Sequence, residues 1–592
     1  MGPMGIATTR VEDRMLAAVG AGGNATPEFE AHDGICNGGV LFLLPALIAQ
    51  GLFKPNEIYQ IPPTHYYGLN SILLTLAMMA LARIKNPEQL KQCKPGEIGR
   101  IIGLDRIPEV RCLREKINML CEQKHAQELN NKLIDHWYHA DAADGEQEAS
   151  FFFIDGHQRI YSGGLANLPS KFISRQKLCL SATTEYWVND EKGLPLMVVT
   201  GELTEKLQQA IEDQIIPQMH KTILLPAPQI MSEMEGGQNI SAAVSQQTKP
   251  DNEQPEQQEH PVCTLIFDRE GYDVPFFNRL WNKYRIAFLT YRKNVKDQWP
   301  EESFKSVDVT VSERVVNMNI CEQKVTLGGT QFREIRRLTD SGHQTSVLTN
   351  NGNITTAQAA GRMFSRLCQE NFFRYMKADY DFDKIIEFGV EAIDQTKQVV
   401  NPQYRKLTHR LKKEKEKTKR LRADFLTITE QGFDTALEQT PQLEQKLIAL
   451  TEKIEKQQQT EAQIAEERKG VVSRITLKDM PEQTRYNKLK PESKMLMNII
   501  KMICYRAETA IANLLAEYGI KEEEKRMVVK QIIQNNADIL PDIQNNTLTI
   551  TLHTLSAPRF NKAAKHLADF LNSTDEIFPD TNLRLIFKTT AS

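Results

Sequence analysis

The sequence predicts an α/β core with a mixed sheet, set between an all-α N-terminal region and a helical, then α+β, C-terminal region. Three observations carry that expectation. Strand-type runs cluster at 151–200, 262–290 and 306–350, and short apolar or alternating runs bounded by turn residues read as strands. Apolar residues at three- and four-residue spacing fill 38–137 and return beyond 400, which is the helical period. At 592 residues the chain is also too long for a single core.

Taken in order, residues 1–20 read as a loose leader and 21–148 as a helical domain. Within it, 95–117 has the length of a helix-turn-helix with its turn at 103–108, and the second helix of such a unit can enter a major groove. Two helices joined by a short turn are equally an ordinary helical corner. The core is expected over 149–400. FFFID at 151–155 is a buried strand, 178–188 and 194–200 flank a turn at 189–193, and a helix begins near Thr204. A flexible insertion is expected at 230–260, which is poor in apolar residues and rich in Gln, Glu and Pro. VCTLIF at 262–267 is another buried strand, ending in Asp268, and a helix at 274–284 leads to a strand at 286–290. A β insertion is expected over 306–350, after which Thr355 caps a long helix to Lys377.

Residues 401–470 read as a basic helix and a coiled-coil hairpin. Leu443, Leu447, Leu450 and Ile454 form a short heptad seam, expected to pack against Leu407, Leu411 and Leu421 across a break at Pro441. Residues 471–592 read as a helical and α+β domain, with helices at 492–518 and 521–535, strands at 547–555 and 583–588, and a helix at 561–572.

Composition excludes several classes. With 41% hydrophobic and 25% charged residues the chain is ordinary for a globular protein. The longest apolar stretches contain Pro45 and Gln50 or stop at Arg83, short of the roughly 18–20 residues of a membrane span, so no membrane partner is expected. The N-terminus lacks a basic segment followed by an apolar one. Nine cysteines without a Cys-x-x-Cys pair point to reduced cytoplasmic thiols rather than a zinc site. A net charge of -3 does not favour nucleic acid, but its distribution does. Ten Lys/Arg against two Glu at 404–422 leave a local +8, and Lys412, Lys413, Lys415 and Lys419 are candidates for phosphate contact. A solvated charged helix has the same composition.

Three carboxylates stand out by placement. Asp155 and Asp268 end buried strands, and Glu370 lies in the long helix. Two strand-end carboxylates facing a helical one can hold two divalent ions roughly 3.5–4 Å apart, and Mg²⁺, or Mn²⁺, suits such oxygen ligands. At about 100° per residue, Arg366, Glu370 and Lys377 share one helix face with Met363, opposite Phe364, Leu367, Cys368, Phe372, Tyr375 and Met376. An exposed i,i+4 Arg–Glu pair gives the same pattern for only about 0.2–0.5 kcal/mol. His157 could touch substrate or metal, though strand-edge histidines are more often structural. Glu270 is a spare carboxylate or a solvated loop residue. Phe372, Phe373 and Tyr375 could stack on bases; only Phe373 falls near the site face.

The spacing Arg366-x3-Glu370-x6-Lys377 resembles the Tyr-x2-Arg-x3-Glu-x6-Lys signature of a large group of bacterial insertion-sequence transposases. FFFIDGH and LIFDREGYD resemble the surroundings of that group's two catalytic aspartates, so the similarity covers about residues 150–380. The tyrosine position is Met363 here, and Arg269-Glu270 intervene between the second aspartate and Gly271-Tyr272. The resemblance implies an RNase H-like DDE core in which Asp155, Asp268 and Glu370 hold two Mg²⁺ or Mn²⁺ ions. Arg366 and Lys377 would contact the DNA backbone. It further implies cleavage and strand transfer on element ends and target DNA by a homodimer or higher oligomer, in a bacterial cytoplasm at the nucleoid. Two other classes use the same residues: a transposase-derived non-catalytic DNA-binding or assembly protein, and an RNase H-like nuclease that only hydrolyses. All three acidic positions are present, which favours an enzyme over the first. The basic hairpin and the Arg366/Lys377 face favour transfer over the second.

Overall fold

Successive residues of a strand point to opposite faces of a sheet, and the run from Phe151 to Ile154 is apolar on both. Phe151 and Phe153 join one buried cluster and Phe152 and Ile154 another, so this strand is covered on each side. The computed structural model describes residues 7–142, 151–173, 176–201, 205–223, 260–311, 314–382, 389–434 and 441–590. The insertion expected at 230–260 lies outside them except for His260, as does the start of the expected leader.

The strands in chain order are β1 (His32–Ile35), β2 (Phe151–Ile160), β3 (Ser170–Ile173), β4 (Leu178–Asn189), β5 (Pro195–Gly201), β6 (Cys263–Phe267), β7 (Ile286–Tyr291), β8 (Lys305–Val311) and β9 (Arg314–Leu327). There follow β10 (Thr330–Leu338), β11 (Gln344–Thr349), β12 (Val390–Ala392), β13 (Gln398–Val400), β14 (Arg474–Thr476), β15 (Asn487–Leu489), β16 (Ala537–Asp542), β17 (Thr547–Leu552) and β18 (Arg584–Thr589). The chain is a mixed α/β protein that divides into two compact units. The first takes residues 1–161, 182–388 and 490–592, and the second 162–181 and 389–489.

In the first unit the large sheet runs β5-β4-β2-β6-β7-β11-β10-β9-β8. β2, β6 and β7 are mutually parallel, while β4 runs antiparallel to β2 and β5 antiparallel to β4. The four strands from the segment expected as a β insertion extend this sheet beyond β7 through antiparallel pairs. One face packs Phe151, Phe153, Ile266 and Leu289 against Ala359, Ala360 and Met363 of the helix Thr356–Ser365. The other buries Leu265, Phe267 and Phe288 with Phe276 and Phe277 of the helix Val274–Tyr284.

The expected separation into N-terminal, core and C-terminal domains gives way here to one unit. β1 pairs with β16, and β16, β17 and β18 complete a four-stranded sheet. The helix Pro491–Glu517 packs against the helices Leu44–Ala49, Leu69–Leu81 and Ala126–Ala142. The reason is apolar excess: Leu69–Leu81 buries eleven of its thirteen residues, more than a small helical domain could cover alone. The stretch expected as a possible helix-turn-helix holds two helices, Pro95–Ile101 and Val110–Glu122. On the second, Arg111 pairs with Glu115 and Arg114 with Glu88, while Lys116 is buried.

The second unit is a helical hairpin, Pro402–Asp434 and Pro441–Lys469, with small antiparallel pairs β12–β15 and β13–β14. β3 pairs with the first residues of β4, Ser170 opposite Ser181. Leu407 and Leu411 pack on Ile464, not on the 443–454 seam as expected, because antiparallel helices set the start of one beside the end of the other. Further along, Thr418 donates to Glu461, and Gln457 donates to Glu414 at 2.5 Å. No helix of the described residues is long and apolar enough to cross a membrane.

Candidate active site

Register brings the two aspartates together. Phe153 lies opposite Ile266, and Ile266 opposite Leu289, on the parallel strands β2, β6 and β7. Two residues on, along each strand and on the same face, come Asp155, Asp268 and Tyr291. Gly156 N–H donates to Asp155 Oδ1 at 2.9 Å. Asp268 Oδ1 accepts the N–H of Glu270 at 2.7 Å, which fixes the turn after β6, and Thr290 Oγ1 donates to the Asp268 carbonyl at 3.0 Å. Burial pushes the Asp155 carboxyl above its ordinary range, the Asp268 charge pushes the same way, and Arg366 opposes both. Glu270 also approaches: its Oε2 lies 3.8 Å from where a Cβ on Gly156 would sit.

The helix expected to run unbroken to Lys377 breaks at Arg366. Thr355 caps its start, as the sequence predicts, and the structure adds a capping box with Gln358. At Arg366 the N–H reaches back to Met363 O at 3.4 Å, a three-residue closure that tightens the turn. A second helix, Leu367–Ala378, then sets off. An even 100° wheel therefore fails across this point. Met363 is fully buried in the sheet-facing core, not on the site face, and Leu367 is exposed. Arg366 Nη2 donates to Asp155 Oδ2 at 3.0 Å, its side chain is only 11% exposed, and its Nε is buried without a partner among the described residues.

Glu370 and Lys377 are exposed on the second helix. Both Arg366 and Glu370 act electrostatically on the Tyr291 phenol, which burial pushes above its ordinary value; Arg366 opposes that shift and Glu370 adds to it. Among the described residues no three His, Cys, Asp or Glu side chains gather as a metal-holding group. The structure thus brings Asp155, Asp268 and Arg366 together and leaves Glu370 at the rim. Lys412, Lys413, Lys415 and Lys419 are all exposed in the second unit.

Other sequence candidates take structural places. His157 stacks on Phe373 and packs at a tilt on Phe382, with centroids 5.6 and 4.4 Å away. Phe372 is fully buried against Trp187 and Tyr505. Tyr375 is half-buried and donates to Glu508. Sequence reasoning passed over Gln369, whose fully buried Nε2 donates to Phe153 O, Trp187 O and Asn189 Oδ1 at 3.2, 3.2 and 2.9 Å. It pins the second helix to β2 and β4. It also passed over Glu508, fully buried, which accepts from Arg83 at 2.8 Å, from Tyr380 at 2.6 Å, and from Tyr375. That hub ties the end of the Glu370 helix to the helix Pro491–Glu517. The available signal was a charged residue inside an apolar helical run.

This fold and site define a mixed α/β protein with an arginine-braced aspartate pair at adjacent parallel strand ends. Over residues 5–591 the chain matches the model of a family described as transposase protein, and the chain belongs to that family. Among solved structures it is similar to a piggyBac transposase synaptic complex with hairpin DNA, seen by cryo-electron microscopy. The two share 9% identity at a TM-score of 0.31, over 56% of this chain and 68% of that one. No curated protein matches the chain in sequence.

Proposed function

We propose that this transposase-family protein is a DDE enzyme that cleaves DNA strands and transfers them to new sites, using divalent metal. The observation that carries the reading is the register of Asp155 and Asp268 on one face, under the helix that delivers Arg366. The strand order β5-β4-β2-β6-β7, with three parallel strands and an antiparallel pair beyond them, supports an RNase H-like core. The donor set is all oxygen and carries two coupled carboxylates, which fits Mg²⁺ or Mn²⁺. Asp155 and Asp268 would hold the metal, with Glu370 as third ligand from the rim. Bound there, the metal would supply Lewis-acid activation of water or a 3′-hydroxyl and stabilise the leaving oxygen. Arg366 counters the carboxylate charge in the protein alone and would offer its guanidinium to a DNA phosphate once metal takes that role. Lys377 would contact the backbone from the same helix, without reading sequence.

The test uses a duplex carrying the DNA that flanks the coding region, with Mg²⁺. Wild-type protein is expected to nick and join it, and Asp155→Ala, Asp268→Ala and Glu370→Ala to lose cleavage while keeping most DNA affinity. Full cleavage by Asp268→Ala would falsify the catalytic assignment. DNA binding without any cleavage by the wild type would mark the non-catalytic descendant instead, and cleavage without joined products a nuclease.

A further inference from the structure

The row that holds the two aspartates has a third member. Tyr291 ends β7 one strand over from Asp268, on the face shared by Asp155, Asp268 and the helix Thr356–Ser365. The same row continues through Val347 of β11 to Ile335 of β10. Two residues beyond Ile335, again on that face, is Arg337. Arg269, in the turn that Asp268 fixes, sets its guanidinium 5.6 Å from the Tyr291 ring centroid. The Arg337 guanidinium lies 5.1 Å from the ring of Phe364, at the end of the helix over this face.

Beyond these ring contacts, the three polar groups are not tied into the fold. The Tyr291 hydroxyl has no hydrogen-bond partner, and Arg269 and Arg337 no carboxylate partner, among the described residues. Elsewhere on the same strands arginine is matched: Arg336 pairs with Glu334 and Asp297, Arg333 with Glu322, and Arg292 with Glu334. The Arg269 and Arg337 guanidiniums both act electrostatically on the Tyr291 phenol, and two such cations beside a donor hydroxyl are complementary to a tetrahedral anion.

We propose that Tyr291, Arg269 and Arg337 form a phosphate-binding subsite beside Asp155 and Asp268. It takes a backbone phosphate of the DNA strand on which the carboxylate pair acts, an assignment that rests on the functional reading above. The two arginines attract the strand and cancel the local repulsion between DNA and the aspartates. The phenol donates one oriented hydrogen bond, and its stiff ring sets the distance from the metal ligands.

The full chain is titrated with a labelled duplex by fluorescence anisotropy at several salt concentrations, in Ca²⁺ to hold binding apart from cleavage. Arg269→Gln and Arg337→Gln are each expected to weaken binding about tenfold at low salt and to reduce the salt slope by about one. Arg337→Lys should keep the wild-type slope, which a folding defect would not. Tyr291→Phe should lose about three- to tenfold in affinity with slope and melting temperature unchanged. Wild-type affinity in Tyr291→Phe, or a wild-type slope in both glutamine variants, overturns the subsite. Asp268→Ala serves as the separate arm, since it removes no cation and should bind with an unchanged slope while losing cleavage. If wild-type protein binds no DNA, the functional reading falls and takes the subsite with it; if it binds and the variants match it, the subsite alone falls.

Discussion

Lys501 is an ammonium on a helix whose neighbours Ile499, Ile500, Met502 and Ile503 are fully buried. Burial pushes its pKa down to about 8, Arg159 pushes the same way, and Asp381 and Glu185 oppose. The ordinary value is 10.5, so the folded state holds its proton less tightly than the unfolded chain. Between about 8 and 10.5 the unfolded chain therefore binds more protons, and stability rises with pH across that window. Below about 8 both states are charged and the whole penalty stands. Lys501→Met is accordingly expected to stabilise the protein at pH 7 by roughly 1–3 kcal/mol. The gain should shrink as the pH approaches 10, read from urea denaturation at both values. A variant less stable than wild type at pH 7 would instead show that Glu185 and Asp381 depend on the charge. Glu508, about two turns further along the helix, is the opposite case: three donors meet it, so its burial is compensated.

At the scale of elements, two helices settle different questions. The break at Arg366 turns an amphipathic rod into two pieces with separate duties. The first fills the sheet face through Ala359, Ala360 and Met363, and the second is held by Gln369 and carries Glu370. In the helix Pro402–Asp434 the inward positions are Leu407, Leu411 and Thr418. In its basic tract ion pairs form at Arg410 with Glu467 and at Lys417 with Glu414, while Lys412, Lys413, Lys415 and Lys419 stand exposed. A cationic helix face of this kind releases counterions when it meets DNA. Changing those four lysines to Glu is expected to weaken DNA binding by orders of magnitude at low salt, with the gap closing as salt rises. Helix content by circular dichroism should hold, because none of the four is buried. Affinity that survives the fourfold change would leave the tract as a solvated hairpin.

The whole molecule is threaded rather than serial. The first unit is assembled from three stretches of chain, and the second from two. Val390 and Leu489, near the two ends of the longer stretch of the second unit, are partners across an antiparallel pair. Replacing 390–489 by a short Gly-Ser linker should therefore leave a protein that unfolds cooperatively in calorimetry. Without the 404–422 tract it should also bind DNA with a shallower salt dependence. A shortened chain that shows no cooperative transition would mean that the first unit cannot stand without the hairpin.

The sequence by itself determined the local elements and the charged side chains they carry. FFFID and VCTLIFD read as buried strands ending in carboxylates, Thr355 as a helix cap, and Lys412, Lys413, Lys415 and Lys419 as solvent-facing. These follow from period, capping and the cost of burying charge, all local. The tertiary structure decided what meets what. It set β1, from the segment expected to be wholly helical, beside β16 near the other end of the chain. It turned Arg366 onto Asp155 and put Met363 in the core, and it placed Tyr291 in register with the aspartates. Pairing register, a tightened turn and the matching of buried donors to acceptors depend on residues hundreds of positions apart, and no window along the sequence contains both partners.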